Sequence, residues 1–121
     1  MKEFKLIVAS GHDFENEDLV ERVLIAMADT EFADMELAFV SSMSKGADAL
    51  AYMFAHQSGL NVYEFNANKK RYGIDANYAC NNDKAEFSDG LLAFWDGASK
   101  ETAHLINAMQ DMGKPVTVVQ Y

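Results

Sequence analysis

Five short strand-like runs alternate along this chain with four helix-like stretches, and one long polar segment is the only sizeable interruption. That alternation constrains the fold more than any other feature. Each strand reaches the next through a helix, so neighbouring strands run parallel and the crossovers cover the sheet. The expected class is therefore α/β: a Rossmann-like, doubly wound parallel sheet of five strands with helices on both faces.

The runs have readable limits. Leu6-Ile7-Val8-Ala9 is continuously apolar, as a strand covered on both faces should be. Met35 to Val40 is a second strand and Gly90 to Phe94 a buried fourth. Asn61 to Phe65 alternates, with Glu64 between apolar positions, and reads as a sheet edge; Val116 to Val119 is the fifth strand. A first helix starts near Asn16, a good cap, with Glu17 and Asp18 where the helix dipole favours acids. Its apolar stripe is Leu19, Val20, Val23, Leu24 and Met27. A second runs from Ala47 to Gln57 and ends at Gly59. Tyr78 to Phe87 is a third. The last is capped by Ser99, turns Leu105, Met109 and Met112 inward, and ends at Gly113 before Pro115. The methionines at helical spacing (Met27, Met53, Met109, Met112) are expected as core filler.

With 121 residues and no linker or repeat, the chain is expected to form a single domain over 1–121. No apolar run spans a bilayer, and Met1-Lys2-Glu3-Phe4 shows no signal-peptide pattern. The single cysteine, Cys80, excludes an internal disulfide, so a reducing, cytoplasmic setting is expected. A net charge of −9 opposes a nucleic-acid partner, because phosphate backbones attract basic surfaces. Lys69-Lys70-Arg71 is the one basic cluster. Three histidines and one cysteine show no metal-ligand spacing, so no metal and no cofactor are expected.

In an open parallel sheet, ligands bind beyond the carboxyl ends of the strands, where the strand order reverses. The loops after strands one, two and four are rich in glycine and small hydroxyl residues. Ser10-Gly11 and Gly97-Ala98-Ser99 offer backbone N–H groups to an anion, or simply make tight turns. Neither the G-x-x-x-x-G-K-[ST] nor the G-x-G-x-x-G phosphate motif is present, which weakens ATPase and ordinary dehydrogenase readings.

Three segments, taken in order and spacing, carry a resemblance. They are Val8-Ala9-Ser10-Gly11-His12-Asp13-Phe14, then Ser44-Lys45-Gly46-Ala47-Asp48-Ala49-Leu50-Ala51, and then Lys70-Arg71-Tyr72-Gly73 running on to Phe94-Trp95-Asp96-Gly97-Ala98-Ser99-Lys100-Glu101-Thr102-Ala103-His104. Together they resemble the YspA-like branch of the SLOG superfamily, whose Rossmann-like domains are related to the DprA and LOG (lysine-decarboxylase-like) proteins. The resemblance implies binding of nucleotides or nucleotide-derived signals, and the LOG relatives hydrolyse the N-glycosidic bond of nucleoside 5′-monophosphates. This chain departs from the branch at several positions. His12 stands where an arginine is usual, Lys45 replaces the arginine of a glycine-rich second loop, and Glu101-Thr102 replaces Gly-Thr at the last helix start. A site that loses arginines and gains Glu101 should hold phosphate less well.

Individual residues carry competing readings. Asp48 either compensates its helix dipole or bonds a ligand hydroxyl. Glu101, with Asp96 or Asp13 as second carboxylate, is the candidate for glycosidic hydrolysis. His12 is a loop histidine that binds phosphate, acts as an acid, or does neither. Trp95 stacks on a base or belongs to the core or an interface; Arg71 and Tyr72 close over a ligand or reach a neighbouring subunit. His56 and Cys80 read as structural, and His104 as a packing or capping residue.

The expected function is recognition of a nucleotide or nucleotide-derived small molecule, as signal sensing or sequestration. Ser10, Gly11 and His12 would lie under its anionic part, Ser42, Gly46 and Asp48 beside it, and Gly97, Ser99 and Thr102 would donate hydrogen bonds. The alternatives are a nucleoside 5′-monophosphate N-glycosidase using Glu101 and Asp96, and an interaction module without a ligand. A symmetric homo-oligomer is expected, with exposed aromatics such as Trp95 and Tyr121 lining the interface, and no nucleic acid or membrane as partner.

Overall fold

The computed structural model describes residues 2–65 and 76–121. Its elements are β1 (Lys2–Ser10), α1 (Glu17–Asp29), β2 (Met35–Ser41), α2 (Ala47–Ser58), β3 (Val62–Glu64), α3 (Ala76–Phe87), β4 (Gly90–Trp95), α4 (Lys100–Asp111) and β5 (Val116–Gln120). The strands form one parallel sheet in the order β3-β2-β1-β4-β5. The chain winds outward from β1 to β3, then returns to the other side of β1 for β4 and β5. The order therefore reverses between β1 and β4, as a doubly wound α/β sheet requires.

Alternation along each strand sends side chains to two cores. Leu6, Val8, Phe39, Leu92 and Phe94 meet Val20 and Leu24 of α1 and Ala51 and Ala55 of α2. Ile7, Val40, Leu91 and Ala93 meet Ala85 of α3 and Leu105, Ile106 and Met109 of α4. The first, second and fourth helices are held by the apolar faces they bury, and the starts of α1 and α4 are locally specified. Asn16 Oδ1 accepts from Leu19 N–H at 3.1 Å, and Ser99 Oγ caps α4 by accepting from Thr102 N–H.

Several limits differ from the sequence expectation. β1 begins at Lys2, four residues before its apolar run, because Lys2 to Lys5 pair with Met35 to Ala38 of β2. The third strand shrinks to three residues at the sheet edge, tied to β1 by Glu3, which accepts from Tyr63 O–H at 2.6 Å and Asn61 Nδ2 at 3.0 Å. Of the four methionines expected in the core, Met27 and Met109 are buried, whereas Met53 and Met112 are 47% and 42% exposed. Met112 caps the C-terminus of α4 rather than continuing its inner face. Among the described residues no helix is long and apolar enough to cross a membrane.

Lys114, on the approach to β5, reaches across to the end of α3. Its ammonium donates to the carbonyls of Ala85, Glu86 and Ser88 at 2.6–2.8 Å. These are acceptors that a helix C-terminus leaves without intrahelical partners.

Candidate functional site

A cleft of about 470 Å³ opens at the carboxyl ends of β1 and β2, beside the reversal point. β1 and its loop contribute Val8 to Ser10 and His12, and the β2–α2 loop contributes Ser42 to Lys45. Asp48 of α2, Cys80, Asn81 and Lys84 of α3, and Glu101, Thr102 and Leu105 of α4 complete the lining.

Two close approaches hold the first two loops together. Ser10 Oγ donates to Gly11 O and accepts from Ala47 N–H, both at 2.8 Å, tying the end of β1 to the first turn of α2. Gly46 makes this possible. Its φ is +91°, and a Cβ built there would lie 2.5 Å from both Gly11 O and Ser10 Oγ. Gly46 is thus a contact point between loops rather than part of the lining.

Asp48, 5% exposed, organises the second loop. Its Oδ1 accepts from Ser41 Oγ at 2.6 Å, and its Oδ2 accepts from Ser42 N–H, Ser42 Oγ and Ser44 N–H at 3.1–3.2 Å. The carboxylate is spent on the protein, so its position matches the fixing of a loop better than the bonding of a ligand hydroxyl. Ser42 Oγ, so oriented, lies 2.9 Å from Ser44 Oγ and accepts from Lys84 Nζ at 3.1 Å.

On the far wall, α3 presents Cys80, Asn81 and Lys84 to the cleft. Burial pushes the Cys80 thiol above its ordinary range, partly offset by the nearby positive charge of Lys84. Asn81 Nδ2 donates to Glu101 O at 3.2 Å and so fixes the first turn of α4 to α3. At the rim, His12 Nε2 stands 3.8 Å from Glu101 Oε2, an ion pair when the imidazole is protonated.

Of the residues expected at the site, Ser10, His12, Ser42, Asp48, Glu101 and Thr102 line this cleft. Gly11, Gly46, Trp95, Asp96, Gly97 and Ser99 do not line it. A Cβ built at Gly11 would stand 3.4 Å from the Tyr121 hydroxyl and 3.8 Å from the Ser99 Cβ. The loops after β1 and β4 therefore share one end of the sheet. Asp96 folds back on its own turn, accepting from Ala98 N–H at 2.8 Å and Ser99 N–H at 3.0 Å. Those bonds hold its carboxyl below the usual aspartate range. Gly97 makes the turn at φ +87° with open space around it, and Trp95 donates from Nε1 to Ser99 O at 3.1 Å.

Trp95 is half-buried against the second core, and Tyr121 meets Phe14 edge to face at 4.7 Å between ring centroids. Arg71, with the neighbouring Lys69, Lys70 and Tyr72, lies outside the described residues. Lys84, Asn81 and Cys80 were not among the expected site residues. Their signal was present: at helical spacing, the inward face of this helix has no apolar stripe.

Among the described residues no group of three His, Cys, Asp or Glu side chains is placed to hold a metal ion. The family described as YspA, cpYpsA-related SLOG has a sequence model that matches residues 4–72. Among solved structures, the chain is similar to DNA processing protein A (DprA) from Streptococcus pneumoniae, with a TM-score of 0.77 and 18% identity. That match covers 95% of this chain and 50% of DprA, so the chain spans about half its length. A homoserine dehydrogenase from S. aureus gives a TM-score of 0.39 at 9% identity, over 99% of this chain and 34% of that one, and carries no weight. No curated protein matches.

Proposed function

The chain belongs to the YspA- and cpYpsA-related SLOG family, and on that premise we propose that its cleft binds a nucleotide or nucleotide-derived small molecule. One observation carries this reading: loops distant in sequence (His12, Ser42 to Lys45, Glu101 and Thr102) converge on a single cleft of nucleotide size beside the strand reversal. The lining is mostly polar, with hydroxyls, an amide and two lysines. DprA is named for the processing of DNA, but a net charge of −9 favours a small ligand over a nucleic acid for this chain.

Calorimetry against nucleoside mono-, di- and triphosphates, ADP-ribose and cyclic nucleotides tests the reading. Binding of at least one, weakened by blocking the cleft with Ser42→Trp, is expected. Folded protein that binds none of them overturns it. Native mass spectrometry of freshly purified protein gives the complementary view, a co-purifying small molecule.

The hydrolase reading narrows to Glu101. Asp96 lies outside the cleft lining and Asp48 is bound into the Ser41–Ser44 loop; Glu101 lines the cleft and stands beside His12 at its rim. A glycosidase of this kind releases free base from a nucleoside monophosphate, and Glu101→Gln abolishes the release while Asp96→Asn does not. Absence of turnover across the common nucleotides removes this second reading and leaves the first standing.

A further inference from the structure

We infer that the anionic group of the ligand seats on the α3 wall of the cleft, against Lys84, and not at the N-terminus of α4. This rests on the nucleotide reading above and specifies where the phosphate goes. The central observation is burial of a charge: Lys84 is 4% exposed, yet it belongs to the cleft lining. Among the described residues its one hydrogen-bond partner is Ser42 Oγ at 3.1 Å. An ammonium carries three donors, and Ser42 Oγ takes one of them. A buried ammonium on a cleft wall suits a phosphate oxygen, because charge-assisted hydrogen bonds are strong where water is largely withdrawn.

The neighbouring loop is built to support this. Asp48 accepts from both serines and fixes Ser42 and Ser44, whose hydroxyls stand 2.9 Å apart beside the ammonium. The carboxylate's charge is directed into those bonds, which lessens its repulsion of an incoming anion. Rotation of Ser44 Oγ away from Ser42 frees one more donor for the ligand.

The opposite wall carries an acid and donors that are already in use. Glu101 lies in the first turn of α4, faces the cleft and stands 3.8 Å from His12 across the rim. The helix terminus that would ordinarily attract an anion already has a carboxylate on it. The Ser99 hydroxyl and N–H there are committed to capping and to Asp96. An oxyanion entering the cleft finds its cationic donor on α3.

Inorganic phosphate serves as the first probe, followed by amide NMR in wild type, Lys84→Met and Lys84→Arg. Phosphate should move the Ser42 and Ser44 amides in wild type and in Lys84→Arg, and leave them unmoved in Lys84→Met. Met matches the volume of the lysine stem, and circular dichroism checks that the variant folds; Lys84→Gln replaces it if it does not. A nucleoside and its monophosphate are then compared by calorimetry. Lys84→Met should lower affinity for the monophosphate about 10- to 100-fold, the range for losing charge-assisted hydrogen bonds, without changing that for the nucleoside. Glu101→Gln should strengthen phosphate binding. The inference falls if phosphate perturbs Glu101 and Thr102 instead, or if Lys84→Met binds the monophosphate as wild type does. In both cases nucleotide still binds wild type, so the broader reading survives; it falls separately, if wild type binds neither nucleoside nor nucleotide.

Discussion

Replacing Gly46 with alanine tests the architecture of the cleft most directly. The residue sits at φ +91° and ψ −145°, a region essentially closed to side chains and worth about 1–3 kcal/mol in strain. The added methyl would also stand 2.5 Å from Gly11 O, a backbone atom, and 2.5 Å from Ser10 Oγ. Relief requires the two loops to part by roughly an ångström, enough to break the bond from Ala47 N–H to Ser10 Oγ that joins them, worth about 1 kcal/mol net. The total is a loss of about 2–4 kcal/mol, a large part of the stability of a domain of this size.

Gly59→Ala is the matched control. Gly59 caps α2 at φ +69° with nothing within 4 Å, so only backbone strain of about 1 kcal/mol is expected there. Urea unfolding of both variants measures the difference. The double variant Ser10→Ala/Gly46→Ala removes one of the two obstructing atoms and should cost less than the sum of its parts. If Gly46→Ala and Gly59→Ala lose equal stability, the two loops do not meet as described.

Three further outcomes follow from other contacts. Asp48→Asn exchanges acceptors for an NH₂ facing Ser42 and Ser44 N–H donors and should cost about 2–3 kcal/mol in urea unfolding, with ligand affinity falling too. Lys114→Met removes three charge-assisted bonds from the end of α3 and should cost about 1–3 kcal/mol, read from thermal and urea midpoints. Asp96 has its folded pKa below its unfolded value, so its contribution is present above the ordinary aspartate range and disappears as pH falls through the lower folded value. Stability measured from about pH 5 to pH 2 should decline less steeply in Asp96→Asn than in wild type.

Much of the fold was legible because parallel strands buried on both faces leave uninterrupted apolar runs. Leu6-Ile7-Val8 and Leu91 to Phe94 are such runs, and each is almost fully buried. The charged start of β1 was not legible, since Lys2 to Lys5 owe their strand conformation to pairing with β2 rather than to their own pattern. Which loops meet followed from topology alone, whereas which atoms face the ligand did not. Asp96-Gly97 is a turn former whose carboxylate competes successfully for nearby N–H groups, so its proximity to the strand end did not deliver it to the cleft. Lys84 escaped notice for the opposite reason. A lysine inside a helix normally reads as solvent-facing, and only the absence of an apolar stripe around Cys80 and Asn81 indicates that this face looks into a polar space.

The grip of Lys114 on the last carbonyls of α3 gives the molecule a remote lever. Lys84 lies within a turn of that anchorage, so the height at which its charge sits over the cleft is set from outside the cleft. Shortening or neutralising a side chain that never meets the ligand should therefore retune affinity, and natural sequence changes near β5 offer a route to altered binding that leaves every lining residue in place.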